Sequence, residues 1–378
     1  MEPANNLRLN PSLSLSSSKW RRWVTLNGWA GRRRFWLGVA CSALFLYLAI
    51  GKVHWGELQA ALQAVDWRYL LLAAVVFMLR LLIGGLRWRT LVVSLGPLSV
   101  REAFSYLNIG HMANNLLPLR AGEIVRAVLV GDRKGFSKTA VFATIVADRL
   151  LDVLALVAYA VLLMLMMPIP PLVKQSALVF GSVGVLVGIG LWWVAGHVFP
   201  AAPQTAPHAS AAAFPRRHRK WAGLLQKVSR QAHGFASGLA AIRSPGQVGA
   251  ALGYSTLGWG LSVGFTWLVL QACHLDLPWT ASLMVIVVVN FGAAIPSAPG
   301  FIGVMHFLVV MALKPWSLEQ SAALAFALVY HALSFLLTVG LGILCLIWER
   351  RSIPALSSEL STIRRNNVEA MSRGTSAS

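Results

Sequence analysis

The feature that most constrains this 378-residue chain is a series of apolar blocks, each long enough to cross a lipid bilayer. Residues 177–198 contain no charged side chain, and His197 is the one titratable group among them. A bilayer core is about 30 Å thick, and an α-helix needs about 20 residues to cross it. Because backbone polar groups in lipid must be satisfied within the segment, the blocks predict an all-α polytopic membrane protein.

The distribution of charge supports a membrane protein and excludes a nucleic-acid partner. Charged residues make up only 12% of the chain, although its net charge is +20. The basic residues cluster before the first apolar block and in one central loop, whereas the loops at 167–175 and 273–280 hold only Lys174 and Asp276 as charged residues. This is the positive-inside pattern. It predicts cytoplasmic N- and C-termini in a plasma membrane, of the bacterial inner-membrane type.

Six apolar segments predict full spans, and two further segments do not fit as spans. The spans are 35–51, 69–86, 141–163, 177–198, 248–271 and 321–348. Residues 104–130 and 281–313 are instead pairs of apolar pieces, each about 10–14 residues long and therefore shorter than a bilayer crossing. Each pair surrounds a Pro/Gly tip, "PLRAG" at 118–122 and "PSAPG" at 296–300. We predict two re-entrant hairpins, the first entering from the cytoplasm and the second from outside.

The order of these segments predicts an inverted-topology repeat. It runs span, span, hairpin, span, and then the same again; three crossings per half turn the second half upside down. The tips share the pattern Pro-x-x-x-Gly-x-Ile, and Asn115 and Asn290 precede them. The predicted organisation is a basic cytoplasmic tail (1–34), a first repeat with its hairpin (35–163 and 104–130), a loop and fourth span (164–198), a basic cytoplasmic linker and interfacial helix (199–246), the rest of the second repeat with its hairpin (247–349 and 281–313), and a cytoplasmic tail (350–378).

The central linker carries apolar residues at helical spacing between 221 and 242, with basic residues on the other side. This pattern predicts a helix lying in the membrane interface. It is either a simple anchor that covers the bundle or a regulatory, lipid-sensing helix.

The first tip concentrates polar residues that favour an anionic ligand. Pro118 and Gly122 would open the hairpin, and the freed amides at the start of the next helix attract an anion. Arg120 adds a bidentate phosphate donor. Asn114, Asn115, Glu123 and Arg126 complete the candidate site, with Glu123 and Arg126 expected to pair at i, i+3. The alternative is a surface amphipathic segment with solvated charges.

Ionisable residues inside the third span mark a second candidate region. Asp148 and Asp152 share a helical face at i, i+4, and Arg149 is expected to reach Asp152. Such residues are costly in lipid and commonly functional. The alternatives are a buried ion-pair lock and snorkelling to the cytoplasmic end. Arg87 and Arg89, near the end of the second span, are expected to meet lipid phosphates.

The second tip contains Pro296, Pro299 and Gly300, and a histidine, His306, follows it. His306 and His331 are either a proton relay or hydrogen-bonded packing residues. We found no motif of a hydrolase, kinase or metalloprotease, and the three cysteines lack metal-ligand spacing. We therefore expect no enzyme activity, no catalytic residue, no cofactor and no metal.

The motifs "NNLLPLRAGEIVRAVLV", "DRLLD", "PSAPGFIG" and "LRWRTLV" together resemble the lysylphosphatidylglycerol synthase transmembrane-domain family, over residues 35–349. The resemblance implies a flippase-like membrane region, here without the soluble synthase domain, and it extends to Pro118, Arg120, Gly122, Glu123, Arg126, Asp148, Arg149, Asp152, Pro296, Pro299 and Gly300. Phe301 and His306 depart from the family pattern, in which many members carry a Gly and an acid.

These observations favour a lipid flippase that translocates or binds an anionic or zwitterionic (amino)phospholipid or a related lipid. Arg120, Arg126 and Arg149 would hold a lipid phosphate. Three acids, Glu123, Asp148 and Asp152, would hold a cationic part of the head group or couple to protons. Asn290 would contribute from the second tip. The alternatives are a membrane scaffold or accessory subunit for a glycosyltransferase or lipid-modifying enzyme, and a membrane-embedded transferase.

Overall fold

Helices make up the described part of the chain, and no strand occurs among those residues. The computed structural model describes residues 29–51, 53–117, 121–168, 171–193, 229 and 231–349. The α-helices named below are α1 (Trp29–Ile50), α2 (Trp55–Gln63), α3 (Trp67–Val92), α4 (Val100–Leu116), α5 (Gly122–Lys134), α6 (Lys138–Met166), α7 (Pro171–Trp193), α8 (Pro245–Ala272), α9 (Trp279–Gly292), α10 (Val304–Leu313) and α11 (Gln320–Trp348). The chain is an all-α polytopic membrane protein.

Five helical segments of the described residues are long and apolar enough to cross a membrane: Trp67–Val92, Lys138–Met166, Val173–Trp193, Pro299–Trp316 and Gln320–Trp348. A sixth results if Trp36–Ile50 and Trp55–Gln63, bent by 91°, count as one span. The segment around 35–51 is this bent pair, and the segment 248–271 is not among the five.

Helix α8 is long enough for a span, with 28 residues, but its composition lowers its hydropathy. It carries Ser255, Ser262 and Thr266, which are all buried against neighbouring helices. The segment Pro299–Trp316 is more apolar, yet its regular helix α10 has only 10 residues. At 1.5 Å per residue α10 spans about 15 Å, which is about half of a bilayer core. Length and structure therefore favour α8 as the crossing helix and α10 as the half-length piece.

The two halves repeat the same order of helix lengths. Helices α3 to α6 have 26, 17, 13 and 29 residues, and helices α8 to α11 have 28, 14, 10 and 29 residues. The contacts between the halves are also reciprocal. Helix α4 of the first half packs on α11 of the second, and α9 of the second half packs on α6 of the first. This is the arrangement expected of two related units.

Helices α3 and α8 pack along each other in opposite directions. The backbone N–H of Asp66 donates to the carbonyl of Ala272 (2.9 Å), and Arg80 and Arg87 of α3 contact α8 at successively earlier positions, Ser262 (2.7 Å) and Ser255 (3.2 Å). A two-fold axis that superposes two antiparallel helices on each other must be perpendicular to both helices. In an inverted repeat the corresponding axis lies in the membrane plane, which is perpendicular to helices that cross the membrane.

The first hairpin is closed by a glycine contact. Gly122 begins α5 and donates its backbone N–H to the side-chain oxygen of Asn114 (2.7 Å). A Cβ at Gly122 would collide with the carbonyl of Gly110 and with Asn114, so only glycine allows this approach. Helix α4 has 17 residues, more than the predicted 10–14. Residues 118–120, including the predicted Pro118 and Arg120, lie outside the described residues.

The second hairpin turns through residues in the left-handed region. Gly300 (φ 77°) and Gly303 (φ 86°) separate α9 from α10, as the Pro/Gly tip predicted. The backbone N–H of Ala298 donates to Ser42 Oγ of α1 (2.8 Å), which ties the tip to another helix.

The central linker is described only from residue 231 onward, apart from residue 229, so the segment 199–228 lies outside the described residues, as do residues 1–28 and 350–378 of the tails. Residues 231–238 are helical. Leu239 and Ala241 are buried in an apolar cluster with Leu91, Leu151 and Ala251, from α3, α6 and α8. This packing favours the anchor over a separate regulatory helix; the interfacial position stays a prediction.

Candidate functional site

An ion-pair network connects α3 to α6 in the interior of the helical bundle. Arg87 Nε donates to Asp148 Oδ1 (2.8 Å), and its Nη2 donates to Asp152 Oδ2 (3.0 Å). Its Nη1 contacts the other oxygen of Asp152 and Ser255 Oγ (3.2 Å). Arg87 is 8% exposed and Asp148 is fully buried. The i, i+4 carboxylates of one helix thus share one guanidinium, and the buried charges are compensated.

A second arginine approaches the same carboxylate from α5. Arg126 is 2% exposed, and its Nη2 lies 3.5 Å from Asp148 Oδ2. Its guanidinium lies over the ring of Trp88, 4.4 Å from the centroid, while the Trp88 indole N–H donates to Thr144 (3.2 Å). The cation–π contact adds to the ion pair at a buried position.

Arg149 extends the network to the first hairpin. Its Nη1 lies 3.3 Å from Asp152 Oδ2, and its Nε lies 3.6 Å from Glu123 Oε1. Glu123 Oε1 also accepts a hydrogen bond from Asn114 (3.0 Å), whose own oxygen holds the Gly122 amide. The tip of the hairpin is therefore bound to α6 through side chains predicted for the site.

Three sequence expectations are resolved by these contacts. The predicted Arg149–Asp152 pair is confirmed. The predicted Glu123–Arg126 pair is wrong, because α6 supplies Arg149 to Glu123 and Asp148 to Arg126. The expectation that Arg87 meets lipid phosphate is also wrong, because its guanidinium pairs with Asp148 and Asp152. These partners lie 61 and 65 residues away in sequence, and only the fold brings them close.

Arg80 differs from the other interior arginines. It lies at the middle of α3, donates from Nε to Ser262 Oγ (2.7 Å) and sits over Phe77 at 5.5 Å. No carboxylate of the described residues lies within 4.0 Å of it, whereas Arg87, Arg126 and Arg149 each have one. Arg80 was not among the predicted site residues, although its place in the middle of an apolar span was the available signal.

Two cavities meet at Arg80. The His331 cavity, of about 280 Å³, is lined by Phe77, Arg80, Asn115, Trp259, Ser262, Phe265, Ile286, Val289, Asn290, Ala293, Gly300, Phe301, Met305, Tyr330, His331, Ser334, Phe335 and Thr338. The Asp152 cavity, of about 290 Å³, is lined by Arg80, Leu81, Gly84, Arg87, Leu107, His111, Arg149, Asp152, Val153, Leu156, Tyr254, Ser255, Gly258, Trp259, Ser262, Asn290 and Ala293. They follow one another along α3 and share Arg80, Trp259, Ser262, Asn290 and Ala293.

The tips of both hairpins reach the His331 cavity. Asn115 comes from the first hairpin, and Asn290 and Gly300 come from the second. Each asparagine donates its amide N–H to the backbone carbonyl four residues before it, Asn115 at 3.3 Å and Asn290 at 2.8 Å. Pro296 and Pro299 belong to the turn of the second hairpin and are not among the lining residues.

The two histidines lie next to each other. His306 Nε2 is 3.4 Å from His331 Nδ1, and His306 Nδ1 accepts the N–H of Gly303 at 3.3 Å. His306 is 4% exposed and stands behind His331, which lines the cavity. This contact fits both interpretations, a proton relay and a packed hydrogen-bonded pair.

The charges define what the site can do. Arg87, Arg126 and Arg149 are balanced by Glu123, Asp148 and Asp152, whereas Arg80 adds a cation with no carboxylate of the described residues within 4.0 Å. The described residues contain no group of three His, Cys, Asp or Glu that could hold a metal ion. The arrangement can attract an anion to Arg80 between the two cavities.

Sequence comparisons agree with this architecture. A family model described as the lysylphosphatidylglycerol synthase TM region matches residues 35–342. A UPF0104 membrane protein of Methanothermobacter thermautotrophicus is 36% identical over 132 residues, which cover 33% of this chain and 37% of that protein. A second alignment with a UPF0104 membrane protein of this organism is 22% identical over 305 residues and covers 79% and 90% of the two chains.

A relative of a different name also aligns over most of the chain. The glycosyltransferase AglD of Haloferax volcanii is 25% identical over 367 residues, which cover 89% of this chain and 56% of that protein. The chain thus spans less than two thirds of AglD and of the first UPF0104 protein.

Proposed function

Because the chain belongs to the family of the lysylphosphatidylglycerol synthase TM region, a family of polytopic membrane proteins, we propose that it is a lipid flippase. The observation that carries the proposal is the pair of cavities that meet at Arg80, in the middle of α3. A head group that enters either cavity reaches the same cation. This is what a transporter with a binding site near the midplane requires.

Arg80 is the proposed contact for the lipid phosphate. An arginine in a membrane interior normally pairs with a carboxylate or faces a water-filled cavity. Arg80 has the cavities, and no carboxylate of the described residues pairs with it directly, so an anionic ligand would supply the missing charge. Arg149 lines the Asp152 cavity with a side chain that is 42% exposed, and it would meet the phosphate on that side.

The other charged residues take a supporting role in this proposal. Arg126 lines neither cavity and holds Asp148, which in turn positions Arg87. Asp148 is fully buried and is therefore not offered to a head group. The network keeps the first hairpin on α6, and movement of the two hairpins past Arg80 would alternate access. His331 and His306 remain a proposed proton relay on the other side.

The proposed orientation follows the charge pattern. The protein would lie in a plasma membrane with both termini cytoplasmic, so the Asp152 cavity would face the cytoplasm and the His331 cavity the outside. Its partners are membrane lipids.

The test is lipid translocation in proteoliposomes that contain the purified protein. Arg80→Gln should lower the translocation of fluorescent phosphatidylglycerol by about tenfold or more, because a hydrogen bond to a charged group is worth about 1.5–3 kcal/mol. The matched control is Arg68→Gln, since Arg68 lies at the start of the same helix, over the ring of Trp67. Equal rates for the two variants would contradict the role of Arg80.

The second candidate function is that of an accessory subunit for a glycosyltransferase or lipid-modifying enzyme. The alignment with AglD favours it, because it covers 89% of this chain but 56% of that glycosyltransferase. Purification with a stoichiometric soluble enzyme, together with no translocation by the protein alone, would support this function over the first.

A further inference from the structure

We infer from the cavity lining that the lipid carried has a phosphate and a neutral, hydroxyl-bearing head group, and that lipids with an amine in the head group are excluded. The inference rests on the proposed translocation and names its substrate class. It is drawn from the charges that line the two cavities.

The described lining of the His331 cavity offers no carboxylate to an ammonium group. Among its described lining residues Arg80 carries the only formal charge, and no Asp or Glu is present. An ammonium next to Arg80 would bring two like charges together inside the cavity, and juxtaposed like charges disfavour binding.

The Asp152 cavity does not correct this imbalance. Its one carboxylate among the described lining residues is Asp152, and that group already contacts Arg87 through both oxygens and Arg149 at 3.3 Å. A cationic head group would have to compete with two arginines for it. Among the described lining residues of the two cavities, the charge that is left without a partner is therefore positive.

The neutral polar groups of the His331 cavity suit hydroxyl donors. Asn115 and Asn290 each donate a side-chain amide N–H to a backbone carbonyl, so their side-chain carbonyl oxygens remain as acceptors. Ser334 and Thr338 donate their hydroxyl hydrogens to the carbonyls of His331 (3.1 Å) and Ser334 (2.7 Å), which leaves oxygen lone pairs for a ligand.

Aromatic rings form much of the remaining wall: Phe77, Trp259, Phe265, Phe301, Tyr330 and Phe335. Sites for small molecules combine such apolar walls with a few placed polar groups. A polyol head with C–H faces and O–H edges matches this lining, and the phosphate beside it matches Arg80.

The experiment compares four lipids with identical labelled acyl chains in the same proteoliposomes: phosphatidylglycerol, phosphatidylinositol, phosphatidylethanolamine and lysylphosphatidylglycerol. Phosphatidylglycerol and phosphatidylinositol should move at least about tenfold faster than the two amine lipids. The ratio of the first two distinguishes a glycerol head from a ring polyol. Equal movement of all four, or faster movement of lysylphosphatidylglycerol, overturns this inference and leaves the proposed flippase standing. Movement of none beyond protein-free vesicles overturns both.

A charge-introducing variant gives an independent test. Ser262→Asp places a carboxylate beside Arg80, and it should reverse the preference between phosphatidylglycerol and lysylphosphatidylglycerol. Ser262→Asn, similar in size and neutral, should keep the wild-type ratio of the two rates. Thr338→Asp repeats the test at another position of the same cavity if Ser262→Asp is not monodisperse in size-exclusion chromatography. An unchanged ratio in a folded Asp variant contradicts the inference.

Discussion

The interior arginines divide into two kinds according to the presence of a carboxylate. Arg87 and Arg126 both pair with the buried carboxylate of Asp148, so their charges are compensated within the protein. Arg80 is held by a serine hydroxyl and an aromatic ring and has cavities on both sides. The first kind contributes to the stability of the fold, and the second is available to a ligand. Substitutions at the two should therefore affect different measurements.

Removing the carboxylate of Asp148 should destabilise the protein. Asp148→Asn leaves Arg126 buried without a carboxylate, and breaking a buried pair costs about 3–5 kcal/mol. We expect a clear decrease of the Tm in detergent, measured by intrinsic fluorescence. Asp276→Asn, in an exposed loop, is the control and should leave the Tm unchanged. A wild-type Tm for Asp148→Asn would contradict the role of the network in stability.

At the scale of the elements, the short helices are held by their ends. The start of α4 has a capping box between Ser99 and Glu102, and Lys134 at the end of α5 reaches Glu102 at 2.5 Å. At the other end, Gly122 and Asn114 close the tip. Short helices gain little stability from their own hydrogen bonds, so these end contacts fix the hairpin.

The tip contact predicts opposite effects for two Gly→Ala substitutions. Gly122→Ala should lower the Tm, because its Cβ would meet the carbonyl of Gly110 and the side chain of Asn114. Gly253→Ala, in α8, has no neighbour within 4 Å and should raise stability slightly, since alanine favours a helix by about 1 kcal/mol over glycine. Equal effects of both substitutions would show that the tip is not closely packed.

The other end of the hairpin predicts a pH dependence. Burial acts to raise the pKa of Glu102, but the hydrogen bonds that its carboxylate accepts from Lys134 and Ser99 outweigh it and hold the pKa below its usual value. A carboxylate with a lowered pKa stabilises the folded state above its unfolded pKa, and this stability is lost as the pH falls through the folded value.

The measurement compares the Tm of the wild type and of Glu102→Gln as the pH is lowered from neutral to acidic. The difference between them should be largest at neutral pH and should shrink in acid, because glutamine keeps the cap and loses only the charge. A difference that does not change with pH would exclude the ion pair as its cause.

At the scale of the whole molecule, the two halves are arranged around the antiparallel pair α3 and α8. Because each half packs against the other, one hairpin tip from each half lines the His331 cavity. Arg80 of α3 and Ser262 of α8 line the same cavity. In the proposed inverted repeat, a site between two such hairpins would open to either side. The proposed transport therefore depends on the repeat as well as on the site residues.

The predicted topology has its own test, by thiol labelling of single cysteines. In a background without Cys41, Cys273 and Cys345, cysteines introduced at Leu117 and Ala121 should react with an impermeant reagent only from the cytoplasmic side. Cysteines at Ser297 and Ala298 should react only from outside, because the predicted topology inverts the second hairpin. Labelling of the first pair only from outside, or of the second only from the cytoplasm, would contradict the inverted arrangement.

The sequence by itself determined the class of the protein, an all-α polytopic membrane protein. Apolar blocks must become helices in lipid, where the backbone has no other partner, and Pro and Gly at the tips prevent continuous helices there. The i, i+3 pair of Arg149 and Asp152 was also predictable, since one helix turn fixes it. Local geometry was sufficient for each of these predictions.

Only the tertiary structure decided which charges meet. Arg87 lies 61 residues from Asp148 in sequence, and a spacing of that length carries no geometric information, so its burial and its two carboxylates could not be predicted. The same holds for Glu123, whose partner came from a neighbouring helix. Arg80 was visible in the sequence as a charge within an apolar span, but only the packing of α3 against α8 shows that the Ser262 hydroxyl lies beside it.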